Sequence, residues 1–177
     1  MTKRKGLIPI KKVTIESLNQ MDQVTFTEAI ESVFEHSSWV AERAWVKRPF
    51  SSLANLHLTM TSVVQESSME EKLALLRAHP DLAARAQMTD ASVKEQAGIG
   101  LDQLSLEEYE DFLTLNRAYT LKFGFPFIMA VRGQNKESVR AAILERVKYA
   151  YDAELEEALR QVYKIARFRL DDLCKDA

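Results

Sequence analysis

The feature that most restricts the fold of this 177-residue chain is how it punctuates its turns. It has only five glycines and four prolines, so tight hairpins have little to build on. Instead, four Ser/Thr-x-x-Glu strings read as helix starts: Thr25 with Glu28, Ser68 with Glu71, Ser92 with Glu95, and Ser105 with Glu108. Such a string can close a capping box. The hydroxyl accepts the backbone N–H three residues on, and the carboxylate reaches back to the first N–H. Apolar residues then follow at helical spacing. Phe26, Ile30, Val33 and Phe34 share one face, as do Tyr109, Phe112, Leu113, Asn116 and Tyr119. Further helices are expected over 39–47, 52–65, 136–149 and 152–173.

Proline and glycine mark the ends. His79 precedes Pro80 and closes the helix begun at Ser68, and Pro80 can open a new one. Gly124 fits the residue after a helix, and Pro126 forbids continuation. The apolar run 127–131 is bounded by Pro126 and Gly133, and its length favours a buried extended segment. The pattern predicts an all-α, single-domain multi-helix bundle over 1–177, with one short irregular or extended apolar segment. Residues 1–13 are expected to form a flexible N-terminus.

The net charge is −2 with both signs mixed, and the one short basic run is Lys3-Arg4-Lys5, read as a solvated terminus. Nucleic acid is therefore not an expected partner. A single cysteine, Cys174, excludes an intrachain disulfide and a cysteine-rich zinc site; beside Lys175 and Asp176 it reads as incidental. No secretory segment or membrane-length apolar run is seen, so a cytoplasmic protein without a membrane partner is expected.

The three histidines, His36, His57 and His79, show no metal-ligand spacing. No glycine-rich phosphate loop or nucleophile elbow is present. What is left is acid–base chemistry without metal or cofactor, or plain binding. His79 sits at a helix junction, where an imidazole can move protons near neutral pH or simply cap the helix. Glu95 can fold back onto Ser92 as the third residue of a capping box, or do chemistry. On the last helix Arg169 shares a face with Leu155, Leu159, Val162, Ala166 and Leu173. A guanidinium buried there needs an anion, either an Asp or Glu of another helix or a ligand. Arg167 points to water instead. His36 and His57 read as structural residues within helices, and Phe123, Phe125 and Phe127 as core and loop anchor.

Taken together, the strings resemble a known family. They are Phe34-Glu35-His36-Ser37-Ser38-Trp39 with Ala41-Glu42-Arg43-Ala44; His79-Pro80-Asp81-Leu82; Ser92 with Glu95-Gln96; Gly100-Leu101-Asp102; Leu115-Asn116; Lys122-Phe123-Gly124-Phe125-Pro126-Phe127-Ile128; and Ile165-Ala166-Arg167-Phe168-Arg169-Leu170. Each is weak alone, but seven in order resemble the 2-oxo-4-hydroxy-4-carboxy-5-ureidoimidazoline (OHCU) decarboxylases over roughly residues 16–173.

The resemblance implies a carboxy-lyase that turns OHCU into (S)-allantoin in urate breakdown, with no cofactor and no metal. It implies His79 as catalytic acid–base and Glu95 as its partner. Pro80, Ser92, Gln96 and Arg169 would line the substrate, and the backbone of Phe127, Ile128, Met129, Ala130 and Val131 would hold its amides. It also implies a homodimer, and association or fusion with urate oxidase, as in some relatives. The connection between the His-Pro and Glu-Gln strings is shorter than in many relatives, so loop 87–91 is expected to be tight. The competing expectation is a non-catalytic helical module associated with urate oxidase, in which His79 and Glu95 are only caps.

Overall fold

The computed structural model describes residues 12–83 and 90–175. The expected flexible N-terminus, including Lys3-Arg4-Lys5, lies almost wholly outside these residues, as do positions 87–89 of the loop expected to be tight and Asp176.

In chain order come β1 (Val13–Thr14), α1 (Ile15–Gln20), α2 (Gln23–Ile30), a 3₁₀ turn (Glu31–Val33), α3 (Trp39–Trp45), α4 (Leu53–Glu66), α5 (Met69–Arg77), α6 (Asp90–Ala97), α7 (Leu106–Phe123), α8 (Lys136–Arg146), α9 (Tyr151–Leu173) and β2 (Cys174–Lys175). The all-α expectation holds. The exception is a two-residue parallel pairing of β1 with β2, which joins the two ends of the described chain. It also corrects the reading of Cys174, which is buried rather than part of a polar tail.

Two of the four expected capping boxes close as expected. Ser68 and Ser105 each accept from the third helical N–H, and Glu71 and Glu108 reach back. The other two do not. Asp22 caps α2 by accepting from the Thr25 N–H at 2.8 Å, so Thr25 lies inside the helix. α6 begins at Asp90, which places Ser92 in its first turn and frees Glu95 from any capping duty. Gly124 ends α7 in the left-handed region (φ 76°), a conformation without Cβ strain only for glycine. Residues 126–131 have no regular secondary structure. No new helix starts at Pro80: residues 80 and 81 are irregular, and 82 and 83 form a turn. His36 lies in a turn at φ 46°, not in a helix. His57 is helical, and its Nε2 meets the carbonyl of Tyr163 at 2.8 Å.

The longest helix, α9, organises the rest. It packs against α4, α5 and the 3₁₀ turn, while α2, α3 and α4 pack in sequence and α7 lies on α8. Its inward stripe of Leu155, Ala158, Val162, Ile165, Ala166 and Leu170 is apolar, but Glu154, Gln161 and Arg169 are buried among them. Their spacing of about two turns puts all three on one side of a helix. The aromatic cluster is core, as expected: Phe123, Phe125 and Phe127 are buried around Tyr119, with the Tyr119 and Phe127 rings 5.2 Å apart and edge-on.

Candidate active site

His79 leaves the C-terminal end of α5 one turn beyond Leu75. Its Nδ1 lies 2.9 Å from the Leu75 carbonyl oxygen, which requires the proton on Nδ1. The ring is 8% exposed. Burial drives its pKa down from about 6.5 to about 4; the bond to Leu75 and the charge of Glu35 oppose this, and Arg169 and His36 add to it. At neutral pH the imidazole is uncharged, with Nε2 carrying the lone pair. The chain then turns back. The Ala83 N–H donates to Oε1 of Gln96 at 2.8 Å, and Nδ2 of Asn116 donates to the Leu82 carbonyl at 2.7 Å. α6 and α7 thus fix the backbone just after His79.

Arg169 lies at the centre of a buried ionic cluster. Its Nε and Nη2 donate to the two oxygens of Glu95 at 2.8 and 3.0 Å, a bidentate pair. Nη1 donates to Oε2 of Glu35 at 2.7 Å and to the Ser32 carbonyl at 3.0 Å. Nη2 also donates to Oγ of Ser92 at 3.1 Å, and that hydroxyl donates on to Oε2 of Glu35 at 3.0 Å. All five guanidinium N–H groups have protein acceptors. Burial works against the charge on Arg169, but Glu95 and Glu35 outweigh it and raise its pKa. Glu35 is 1% exposed. The side chain of Glu95 is 23% exposed, and it is the part of the cluster that opens outwards.

These groups meet in a pocket lined by His79, Pro80, Leu82, Ser92, Glu95, Gln96, Phe127, Ile128, Met129, Val131, Ile165 and Arg169. Nearly every residue singled out in the sequence is here. Ala130 is not: its N–H donates to Oε1 of Gln161 at 3.0 Å, on the side facing α9. The Ile128 carbonyl is likewise held from outside, by Nη1 of Arg146 at 2.7 Å. Arg167 pairs with Asp171 at 3.0 Å on the half-exposed face, as its position on the helix implied.

Glu35 was missed as a functional residue. It sits in a turn between Phe34 and His36, where no periodicity marks a buried position. Leu82 and Ile165 were also missed as lining residues. Among the described residues, no three His, Cys, Asp or Glu side chains gather as a metal site, and no helix is long and apolar enough to cross a membrane.

A neutral imidazole, a carboxylate held by a guanidinium and a carboxamide can bind a small polar molecule and exchange protons with it. Comparisons with known proteins point the same way. The model of the OHCU decarboxylase family matches residues 19–171. The chain is 48% identical over 160 residues to the uric acid degradation bifunctional protein of Bacillus subtilis, covering 90% of this chain and 32% of that protein. It is 46% identical over 162 residues to the 2-oxo-4-hydroxy-4-carboxy-5-ureidoimidazoline decarboxylase of Halalkalicoccus jeotgali, covering 92% of each. The crystal structure of an (S)-allantoin synthase superposes with a TM-score of 0.72 at 33% identity, over 92% of this chain and 54% of that one. An OHCU decarboxylase crystallised in the presence of (S)-allantoin shares the fold, with a TM-score of 0.67 at 22% identity, over 82% of this chain and 96% of that one.

Proposed function

The chain belongs to the OHCU decarboxylase family, and we propose on that basis that its pocket removes CO₂ from 2-oxo-4-hydroxy-4-carboxy-5-ureidoimidazoline and leaves (S)-allantoin. One observation carries this reading: His79, Ser92, Glu95, Gln96 and Arg169, drawn from two helices and the end of a third, line a single pocket closed by the 127–131 segment.

The substrate's own chemistry sets the task. Its carboxylate sits on a carbon that bears a hydroxyl and adjoins an imine. When the bond to CO₂ breaks, the electron pair moves into the imine, so the substrate is its own electron sink. The hydroxyl loses its proton as its oxygen becomes a carbonyl, and the imine nitrogen gains one. A new C–H bond forms at the carbon bearing the ureido group, which becomes the stereocentre. The protein therefore has to hold the ring in one orientation and deliver a proton to one face.

His79 is the proton-transfer group, through Nε2. Its tautomer is fixed by the bond from Nδ1 to Leu75. Glu95, held at both oxygens by Arg169, keeps lone pairs for a substrate O–H or N–H. The Arg169 fork is fully taken by protein acceptors, so its part is to fix Glu95 and Ser92 rather than to grip the substrate with spare donors. Gln96 and backbone of the 127–131 segment pair with the ring and ureido amides. Pro80 and the Phe127, Ile128 and Val131 side chains close the pocket against water. General acid–base assistance of this kind is worth about 10²–10⁴-fold.

The reading extends to a homodimer in the cytoplasm that works beside urate oxidase. The bifunctional uric acid degradation relative, of which this chain spans about a third, supports the association.

The test is to generate OHCU in situ from urate and follow both its absorbance decay and the optical activity of the product. Faster decay with an excess of the S form is expected, and His79→Ala is expected to lose both. A racemic product formed at the spontaneous rate with the unaltered chain would refute the reading in favour of a non-catalytic binding module.

A further inference from the structure

Asn116 lies outside the pocket lining, yet it reaches the loop that leaves His79. The buried stripe of α7 is Phe112, Asn116, Tyr119 and Phe123, so the asparagine takes a core position, at 4% exposure. Its amide meets the Leu82 carbonyl at 2.7 Å. A carbonyl only accepts, so Nδ2 is the end that points there. The other end, Oδ1, is buried and meets no donor among the described residues.

The peptide that Asn116 holds is held on its other side as well. The Leu82 carbonyl and the Ala83 N–H belong to one planar unit and point in opposite directions. Asn116 holds the first from α7, and Oε1 of Gln96 accepts from the second at 2.8 Å from α6. Ala83 sits at φ 62°, in the left-handed region that alanine adopts only at a cost. A buried orphan oxygen and a strained residue therefore meet at this one peptide. Stability alone does not account for them. With leucine at 116 the Leu82 carbonyl loses its donor, but the orphan oxygen goes too, and more apolar surface is buried. What only the amide supplies is the direction of the peptide plane.

That plane lies between two parts of the site. Four residues before Ala83 stands His79, and Pro80 and Leu82 line the pocket with it. On the α6 side, Gln96 directly follows Glu95. The clamped peptide thus ties the loop bearing the imidazole to the helix bearing the carboxylate. We propose that Asn116 is a positioning residue of the active site: by holding the Leu82–Ala83 peptide against Gln96, it sets where His79 stands relative to Glu95. It acts through the peptide and touches no substrate. The inference rests on the decarboxylase reading and deepens it.

The experiment compares the full chain with Asn116→Leu and with Asn116→Asp, which keeps the shape but replaces the N–H donor by a carboxylate oxygen. OHCU generated in situ gives kcat and KM, and thermal melting gives the folded fraction. NMR follows the imidazole signal of His79 without substrate, assigned through His79→Gln. In Asn116→Leu, kcat is expected to fall about 10- to 100-fold with KM changed by less than about fivefold, because a displaced catalytic group slows the chemical step more than it weakens binding. The variant is expected to be fully folded at the assay temperature, with the His79 signal shifted. Asn116→Asp is expected to lose kcat in the same way. Parent-like kcat in folded Asn116→Leu, or a loss of kcat with the His79 signal unmoved, overturns the proposal. If Asn116→Leu does not fold, Asn116→Asp decides by the same two readouts. Failure of both to fold makes Asn116 a residue of the core alone and overturns the proposal too. If the unaltered chain does not accelerate OHCU decay, the decarboxylase reading falls. The NMR comparison still decides the part played by Asn116: an unmoved His79 signal in the variants overturns it, and a shifted one upholds it.

Discussion

Two arginines in this protein are buried to nearly the same extent, Arg146 at 7% and Arg169 at 4% exposure, yet they do different work. Both ion clusters are anchored on α9, which supplies the acid Glu154 to one and the base Arg169 to the other, at positions about 22 Å apart along a straight helix. Arg146 meets one acid. Its Nε and Nη2 reach Oε1 of Glu154 at 2.8 and 2.5 Å, where the Tyr119 hydroxyl also donates, and its guanidinium lies 4.4 Å from the Phe127 ring centre. The charges cancel and the cluster is closed; one oxygen of Glu154 has no partner among the described residues. Arg169 meets two acids, Glu35 and Glu95, and Glu95 opens into the pocket. A buried pair in balance acts as scaffold, here holding the Ile128 carbonyl and so the pocket wall. A buried ion cluster that opens at the edge of a cavity can instead present a carboxylate to a ligand.

Replacing Arg146 tests this contrast most severely. Arg146→Met leaves Glu154 charged and unpaired at 0% exposure, and is expected to lower stability by about 3–5 kcal/mol in chemical denaturation. Adding Glu154→Leu should restore most of that loss, because a balanced pair can be exchanged for apolar packing. If the double variant is as unstable as the single one, the scaffold reading fails. At the other cluster, Arg169→Lys keeps the charge but not the fork. It is expected to cost about 10²-fold in kcat/KM, with a smaller drop in melting temperature than Arg146→Met. Equal thermal losses with unchanged kinetics would erase the distinction.

His79 gives the next effect. Its folded pKa lies below its unfolded value, so between pH 6.5 and about 4 the unfolded chain binds a proton that the folded chain refuses. Stability is therefore expected to fall as pH drops through that window, and His79→Gln should flatten this part of the pH–stability curve. The smallest expected effect is that of Tyr119→Phe. It removes one donor to Glu154 and should cost about 1–2 kcal/mol in stability, with kcat/KM within about threefold of the parent. A large kinetic loss there would show that the Arg146 cluster does more than hold a wall.

The same two clusters show what could be read in advance. Ser68 and Ser105 were legible as caps because a capping box is closed by residues three apart, within one turn. Thr25 and Ser92 carry the same spelling and fail. At Thr25 an acid three positions earlier, Asp22, takes the capping role. At Ser92 the helix starts two residues sooner, and the carboxylate that would close the box pairs with Arg169 instead. Arg169 stood out because its position on the wheel is apolar. Arg146 and Glu154 did not, since each sits near a helix end where polar residues are common. The irregular apolar segment was legible between Pro126 and Gly133. That Ala130 turns its N–H to α9 and drops out of the pocket lining depends on Gln161 reaching across.

The sequence by itself determined most of the helices, two of the four caps, the chemistry available and, through ordered strings, the family. These follow from interactions between near neighbours, or from residue identity alone. Only the tertiary structure decided that Glu35 belongs to the site, that Arg169 has no donors left over, and that His79 rests uncharged. Glu35 and Arg169 are 134 positions apart, and Glu95 and Arg169 are 74 apart. Which charges share a buried space, and whether they balance, is fixed by packing across α9 rather than by spacing along the chain.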